Sequence, residues 1–101
     1  MKYIEIITLR SLGRDNRQLV DELLRQIFKQ FKQKEPGVPP SIRVYHHALV
    51  ETDLSIHVHW EVEAQHPGES PLGQRLCYAL KGLGQCNHSL WVEAAAWNDH
   101  Q

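Results

Sequence analysis

Residues 54–63 read Leu-Ser-Ile-His-Val-His-Trp-Glu-Val-Glu, ten positions in which apolar and polar side chains alternate without a break. Successive strand side chains point to opposite faces, so Leu54, Ile56, Val58, Trp60 and Val62 form one apolar face, while Ser55, His57, His59, Glu61 and Glu63 form a polar one. The stretch is therefore a strand with one side on a core, and the rest of the chain is arranged around it. Upstream, residues 41–50 alternate in the same way, and Glu51-Thr52-Asp53 is a short polar connection, so the two segments form a hairpin. Keeping both apolar faces on the core pairs even positions with even. A three-residue loop pairs Val50 with Leu54, which sets His47 opposite His57, Tyr45 opposite His59 and Arg43 opposite Glu61.

Further out, residues 2–10 are rich in β-branched side chains and read as a first strand, with Ile4, Ile6 and Thr8 on one face and Tyr3, Glu5, Ile7 and Leu9 on the other. From Asp15 or Asn16, either a suitable N-cap, apolar residues recur at three- and four-residue spacing from Leu19 to Phe31, an amphipathic helix reaching about Gln33. Lys29, Lys32 and Lys34 collect in its last turns, where cations suit the negative end of the helix dipole. Pro36-Gly37-Val38-Pro39-Pro40 then forbids continuation of the helix. Ser70-Pro71 starts a second helix, a Ser cap followed by Pro at the first helical position; Leu72, Leu76, Cys77, Ala79, Leu80 and Leu83 are its buried side. Gly73 in its first turns points to close packing against the sheet rather than to a phosphate-binding loop. Residues 87–96 are the last strand, with His88, Leu90, Val92 and Ala94 sharing a face.

The order β-α-β-β-α-β is the split βαβ arrangement, an α+β ferredoxin-like fold. The expectation is a four-stranded antiparallel sheet of order 4-1-3-2 with both helices on one face, in a single domain spanning residues 1–101. The open face is expected to carry Tyr3, Glu5, Ile7, Arg43, Tyr45, His47, His57, His59, Glu61, Trp91 and Glu93. So many aromatic rings on one face call for a cover, and a second copy packed by two-fold symmetry is the simplest.

Composition narrows the function. The chain has 101 residues, 42% of them hydrophobic and 23% charged, as in an ordinary globular protein. A net charge of -1 argues against nucleic acid as a main partner. No stretch approaches the about 20 apolar residues of a membrane span, and no apolar signal sequence opens the chain. Cys77 and Cys86 are too few for a disulfide framework and lack Cys-x-x-Cys spacing, so a reducing cytoplasm is the expected compartment.

Element order, the strand ending His59-Trp60-Glu61, the helix opened by Ser70-Pro71-Leu72-Gly73 and the last strand with Asn87-His88-Ser89-Leu90-Trp91 together resemble the dimeric α+β-barrel superfamily, which includes antibiotic-biosynthesis-type and heme-degrading monooxygenases. The resemblance is architectural and covers nearly the whole chain. It implies a homodimer with its sheets face to face and a small-molecule site between helices and sheet, at its most specific that of a cofactor-independent monooxygenase acting on small apolar or aromatic substrates. On that side the chain offers Trp60, His46, His88 and Thr8 as ligand-binding residues. The second helix has no histidine to ligate heme, and no cofactor is expected.

A second reading uses the polar face. His57-x-His59, with His47 across the hairpin and Glu61 one step along, has the residue types and strand spacing of a zinc or other divalent-metal site, which needs three converging ligands and an open position. The same residues also make ordinary cross-strand hydrogen bonds and ion pairs in a polar interface, and a third reading makes that face a non-catalytic oligomerisation surface.

Overall fold

Of the alternating stretches, residues 41–46 and 53–61 form an antiparallel hairpin at the edge of a four-stranded sheet. The computed structural model describes residues 2–11, 17–34, 41–50, 52–61, 68–95 and 97. Its elements are β1 (Lys2–Ser11), α1 (Arg17–Lys34), β2 (Ser41–His46), β3 (Asp53–Glu61), α2 (Pro71–Leu80) and β4 (Gly84–Val92). The strand order is β2-β3-β1-β4 with every neighbouring pair antiparallel, which is the expected order read from the other edge. The helix caps expected at Asp15 or Asn16, the proline-rich connection at 36–40 and the strand end at Val62 and Glu63 lie outside the described residues.

One face of the sheet meets both helices. Ile7 and Leu9 from β1 and Leu54, Ile56 and Val58 from β3 pack against Val20, Leu24 and Ile27 of α1 and Leu72, Leu76 and Leu80 of α2. These are the apolar stripes that the helical and strand periods require, and their removal from water is the main force holding the layers together. Among the described residues no helix is long and apolar enough to cross a membrane.

The face assignment of β1 differs from expectation. Tyr3, Glu5, Ile7 and Leu9 are buried on the helix side, while Ile4, Ile6 and Thr8 are only partly covered on the other. Register explains it: Ile7 lies opposite Ile56 and Glu5 opposite Val58, so odd residues of β1 share the apolar face of β3. Both faces of β1 carry large apolar groups, so alternation alone could not choose between them. Thr8 therefore does not lie on the face of Trp60.

The hairpin register also differs. Parity holds, with Ile42 opposite Val58 and Val44 opposite Ile56, but His46 rather than Val50 lies opposite Leu54, a shift of four residues along β2. Arg43 meets His57, Tyr45 meets Ser55 and Ser41 meets His59. The physical reason is His47. Its Nδ1 accepts hydrogen bonds from the backbone N–H groups of Leu49 and Val50, both at 3.0 Å. Its own N–H donates to the Asp53 carbonyl at 2.9 Å. The imidazole thus ends β2 early by holding a wider loop, an alternative to the ladder open to any side chain that can accept from nearby backbone.

Candidate functional site

Glu5 is the least expected feature of the core: a carboxylate with 0% exposure in the middle of the central strand. Burying such a group requires partners, and three elements supply them. Trp60 on β3 donates its indole Nε1–H to Glu5 Oε1 at 2.6 Å. The backbone N–H of Ser70 donates to Oε2 at 3.1 Å. The His88 Nε2 on β4 lies 2.7 Å from the same oxygen. Ser70 is the N-cap of α2, with its Oγ accepting from the Gly73 N–H at 2.9 Å, so the carboxylate also sits at the positive end of the helix dipole.

Local sequence explains the approach of α2. Ser70-Pro71 starts the helix where expected, and Gly73 leaves its first turn bare on the sheet side. A Cβ at Gly73 would collide with Glu5 Oε2 and come within 2.9 Å of the His88 ring. Close packing was the expectation for this glycine; what it packs against is a polar cluster.

Around the cluster the surface is aromatic and apolar. Tyr3 stacks on Trp60 with ring centroids 6.2 Å apart and planes 17° apart. Burial, with the Glu5 charge second, pushes the Tyr3 phenol above its ordinary value. Leu90 lies opposite Glu5 and Val92 opposite Tyr3 on the neighbouring strand, and both are exposed. Within α2, burial and the nearby Cys86 push the Cys77 thiol up to about 12, so it is a packed thiol rather than a nucleophile.

Of the four residues expected to bind a ligand, Trp60 and His88 meet on Glu5. Thr8 and His46 lie toward the other end of the strands, where they help line an open depression of about 420 Å³ together with Arg10, Tyr45, His47, Asp53, Asn87 and others. Sequence reading missed Glu5. A lone acidic residue between Ile4 and Ile6 reads as solvent-facing, and only the joint presence of Trp60, His88 and the Ser70 cap could have argued otherwise.

The other predicted set is only partly gathered. His57 and His59 share the open face with ring centroids 6.4 Å apart. His57 contacts the Tyr45 ring at 4.7 Å and has its Nε2 2.9 Å from Ser55 Oγ. Burial, and secondarily His59, lowers the His57 pKa. His47 is committed to the loop rather than to this pair, and Glu61 is exposed at the end of β3. Among the described residues no group of three or more His, Cys, Asp or Glu could hold a metal ion.

Comparison with solved structures places this geometry. A variant of SnoaB, a cofactor-independent oxygenase from Streptomyces nogalater, superposes with a TM-score of 0.64 at 12% identity, over 94% of this chain and 95% of that one. The fold is that of the antibiotic-biosynthesis-monooxygenase-like proteins. A putative antibiotic biosynthesis monooxygenase from Deinococcus radiodurans shares it, with a TM-score of 0.55, 19% identity and coverage of 95% and 96%. So does Rv0793 from Mycobacterium tuberculosis, with a TM-score of 0.54, 12% identity and coverage of 97% and 100%. No protein-family model matches the sequence, and no curated protein does. In this fold's frame the Glu5 cluster lies between the sheet and the second helix.

Proposed function

We propose that the protein is a one-domain, homodimeric, small-molecule-binding protein that oxygenates a small aromatic or apolar substrate without a cofactor, at Glu5, Trp60 and His88. The observation that carries this reading is the buried carboxylate held by an indole and an imidazole beside an aromatic and aliphatic surface. That is the make-up of a small-molecule site, largely apolar with a few placed polar groups. The oxygenase named among the similar structures supports the choice of chemistry.

Without a cofactor, the electrons for dioxygen come from the substrate itself. The reading therefore selects substrates with an ionisable O–H or C–H on an electron-rich ring, such as hydroquinones and naphthols. Loss of a proton leaves an anion that gives electrons to dioxygen; one oxygen atom bonds to carbon, and the other leaves as water with two hydrogens from the substrate. Trp60, with the buried Tyr3 ring stacked on it, provides the stacking surface. An ionised carboxylate offers about four acceptor positions; the bonds among the described residues use three, leaving one on Oε1 next to Trp60. General base catalysis from such a position contributes about 10²- to 10⁴-fold.

The exposed rings of Tyr45 and Trp91 on the open face support pairing with a second copy. The adjacent free thiols of Cys77 and Cys86 support a reducing, cytoplasmic setting. Oxygen uptake with a panel of hydroquinones and naphthols tests the chemistry. Uptake that falls at least about 100-fold in Glu5→Gln, with binding to Trp60 retained by fluorescence quenching, is the expected result. Absence of uptake across the panel would remove the oxygenase reading, and absence of quenching as well would remove small-molecule binding at Trp60.

A further inference from the structure

His88 is bracketed by two carboxylates. Its Nε2 lies 2.7 Å from Glu5 Oε2, and its Nδ1 lies 3.6 Å from Glu69 Oε1. The three groups differ steeply in access to water: Glu5 has 0% side-chain exposure, His88 9% and Glu69 53%. Glu69 is not needed to hold α2 on the sheet, because the Ser70 N–H bonded to Glu5 and the packing of Leu72, Leu76 and Leu80 in the core already do so.

We infer that Glu5, His88 and Glu69 form a proton relay between the buried site and solvent, with Glu69 as its outer terminus. An imidazole can accept a proton at one ring nitrogen as it releases another from the second, and here each nitrogen faces a carboxylate oxygen. In the resting relay one proton is shared between Glu5 Oε2 and His88 Nε2, and Nδ1 carries its own proton toward Glu69. A proton arriving at Glu5 Oε1 moves the shared proton fully onto Nε2. The half-exposed Glu69 carboxylate, 3.6 Å from Nδ1, closes to hydrogen-bond distance, takes the Nδ1 proton and passes it to water. One proton enters, one leaves, and no electron moves. Reversing the sequence returns a proton to the site and restores the ring, which is what the water-forming half of an oxygenation requires. The direction of use rests on the proposed oxygenase reading; the path does not.

The test uses the full chain, uniformly labelled with ¹⁵N, and needs no substrate. Exchange of the His88 Nδ1 proton, the one that faces Glu69, with water is measured by NMR in the unaltered protein, in Glu69→Gln and in Glu69→Asp. The relay predicts exchange slowed at least about tenfold in Glu69→Gln, as for loss of a general acid–base partner, and largely retained in Glu69→Asp, which keeps a carboxylate. Glu69 is half exposed, so both variants are expected to fold, and amide spectra check it. Equal exchange in Glu69→Gln and the unaltered protein overturns the relay, whether or not oxygen is consumed. Slowed exchange in a protein that consumes no oxygen with any substrate of the panel upholds the relay and removes the oxygenase reading alone.

Discussion

Gly73 is the residue at which the usual rule for helices should invert. In an ordinary helix interior, replacing Gly by Ala stabilises by about 1 kcal/mol. Here the added Cβ meets Glu5 Oε2 and the His88 ring across the α2 interface. Overpacking of this kind costs about 1–3 kcal/mol, so Gly73→Ala is expected to lower the urea midpoint; a midpoint at or above that of the unaltered chain would mean α2 can lift without penalty. His57 provides a second prediction at this scale. Its folded pKa is depressed, first by burial and then by His59, so the unfolded chain binds the proton more readily. Its stability contribution is complete above the ordinary value of about 6.5 and is lost as pH falls from there through the folded pKa. Urea midpoints measured across that range should fall less in His57→Gln than in the unaltered protein. Equal slopes would show that His57 is not depressed.

At the scale of elements, the start of α2 and the β2–β3 loop are each organised by one side chain. Ser70 caps α2 through its Oγ and ties the helix to Glu5 through its N–H. Ser70→Ala removes the first bond and keeps the second, so a loss of about 1 kcal/mol is expected, the usual cost of an N-cap, measured by chemical denaturation. His47 holds its loop by accepting from two backbone N–H groups. His47→Ala should weaken the hairpin by about 1 kcal/mol, the net worth of an exposed hydrogen-bonded contact of this type. Hydrogen exchange at residues 49 and 50 should rise while that in β1 stays slow; no local change would show that the imidazole does not set the turn.

For the whole molecule, the sheet has one face under two helices and one on which the described residues place no further layer. On the open face Trp91 is 59% exposed and Tyr45 46%, beside Ile4, Ile6, His57 and His59. Pairing of two copies through this face would remove that surface from water and bury His57 further, lowering its pKa in the same direction. Light scattering should give twice the chain mass for the unaltered protein. Trp91→Glu, which puts a charge at the centre of the proposed contact, should give a single chain. A dimer that survives this change would place the interface elsewhere.

Element order, the start of α2, the strand order and the helix-facing side of β3 were legible in the sequence, because each rests on a local rule: alternation, helical spacing, a Ser-Pro cap. The face of β1 was not, since Ile4 and Ile6 compete with Ile7 and Leu9, and local alternation contains no term for the strand beside it. The hairpin register escaped for a related reason: His47 could continue the strand or hold a loop, and only the geometry of the turn chose. Half of the candidate site was visible as Trp60 and His88 on one face of their strands. Glu5, which joins them, was not. A carboxylate is buried only when donors from several distant segments converge on it, and that convergence of Trp60, Ser70 and His88 exists in the tertiary structure alone.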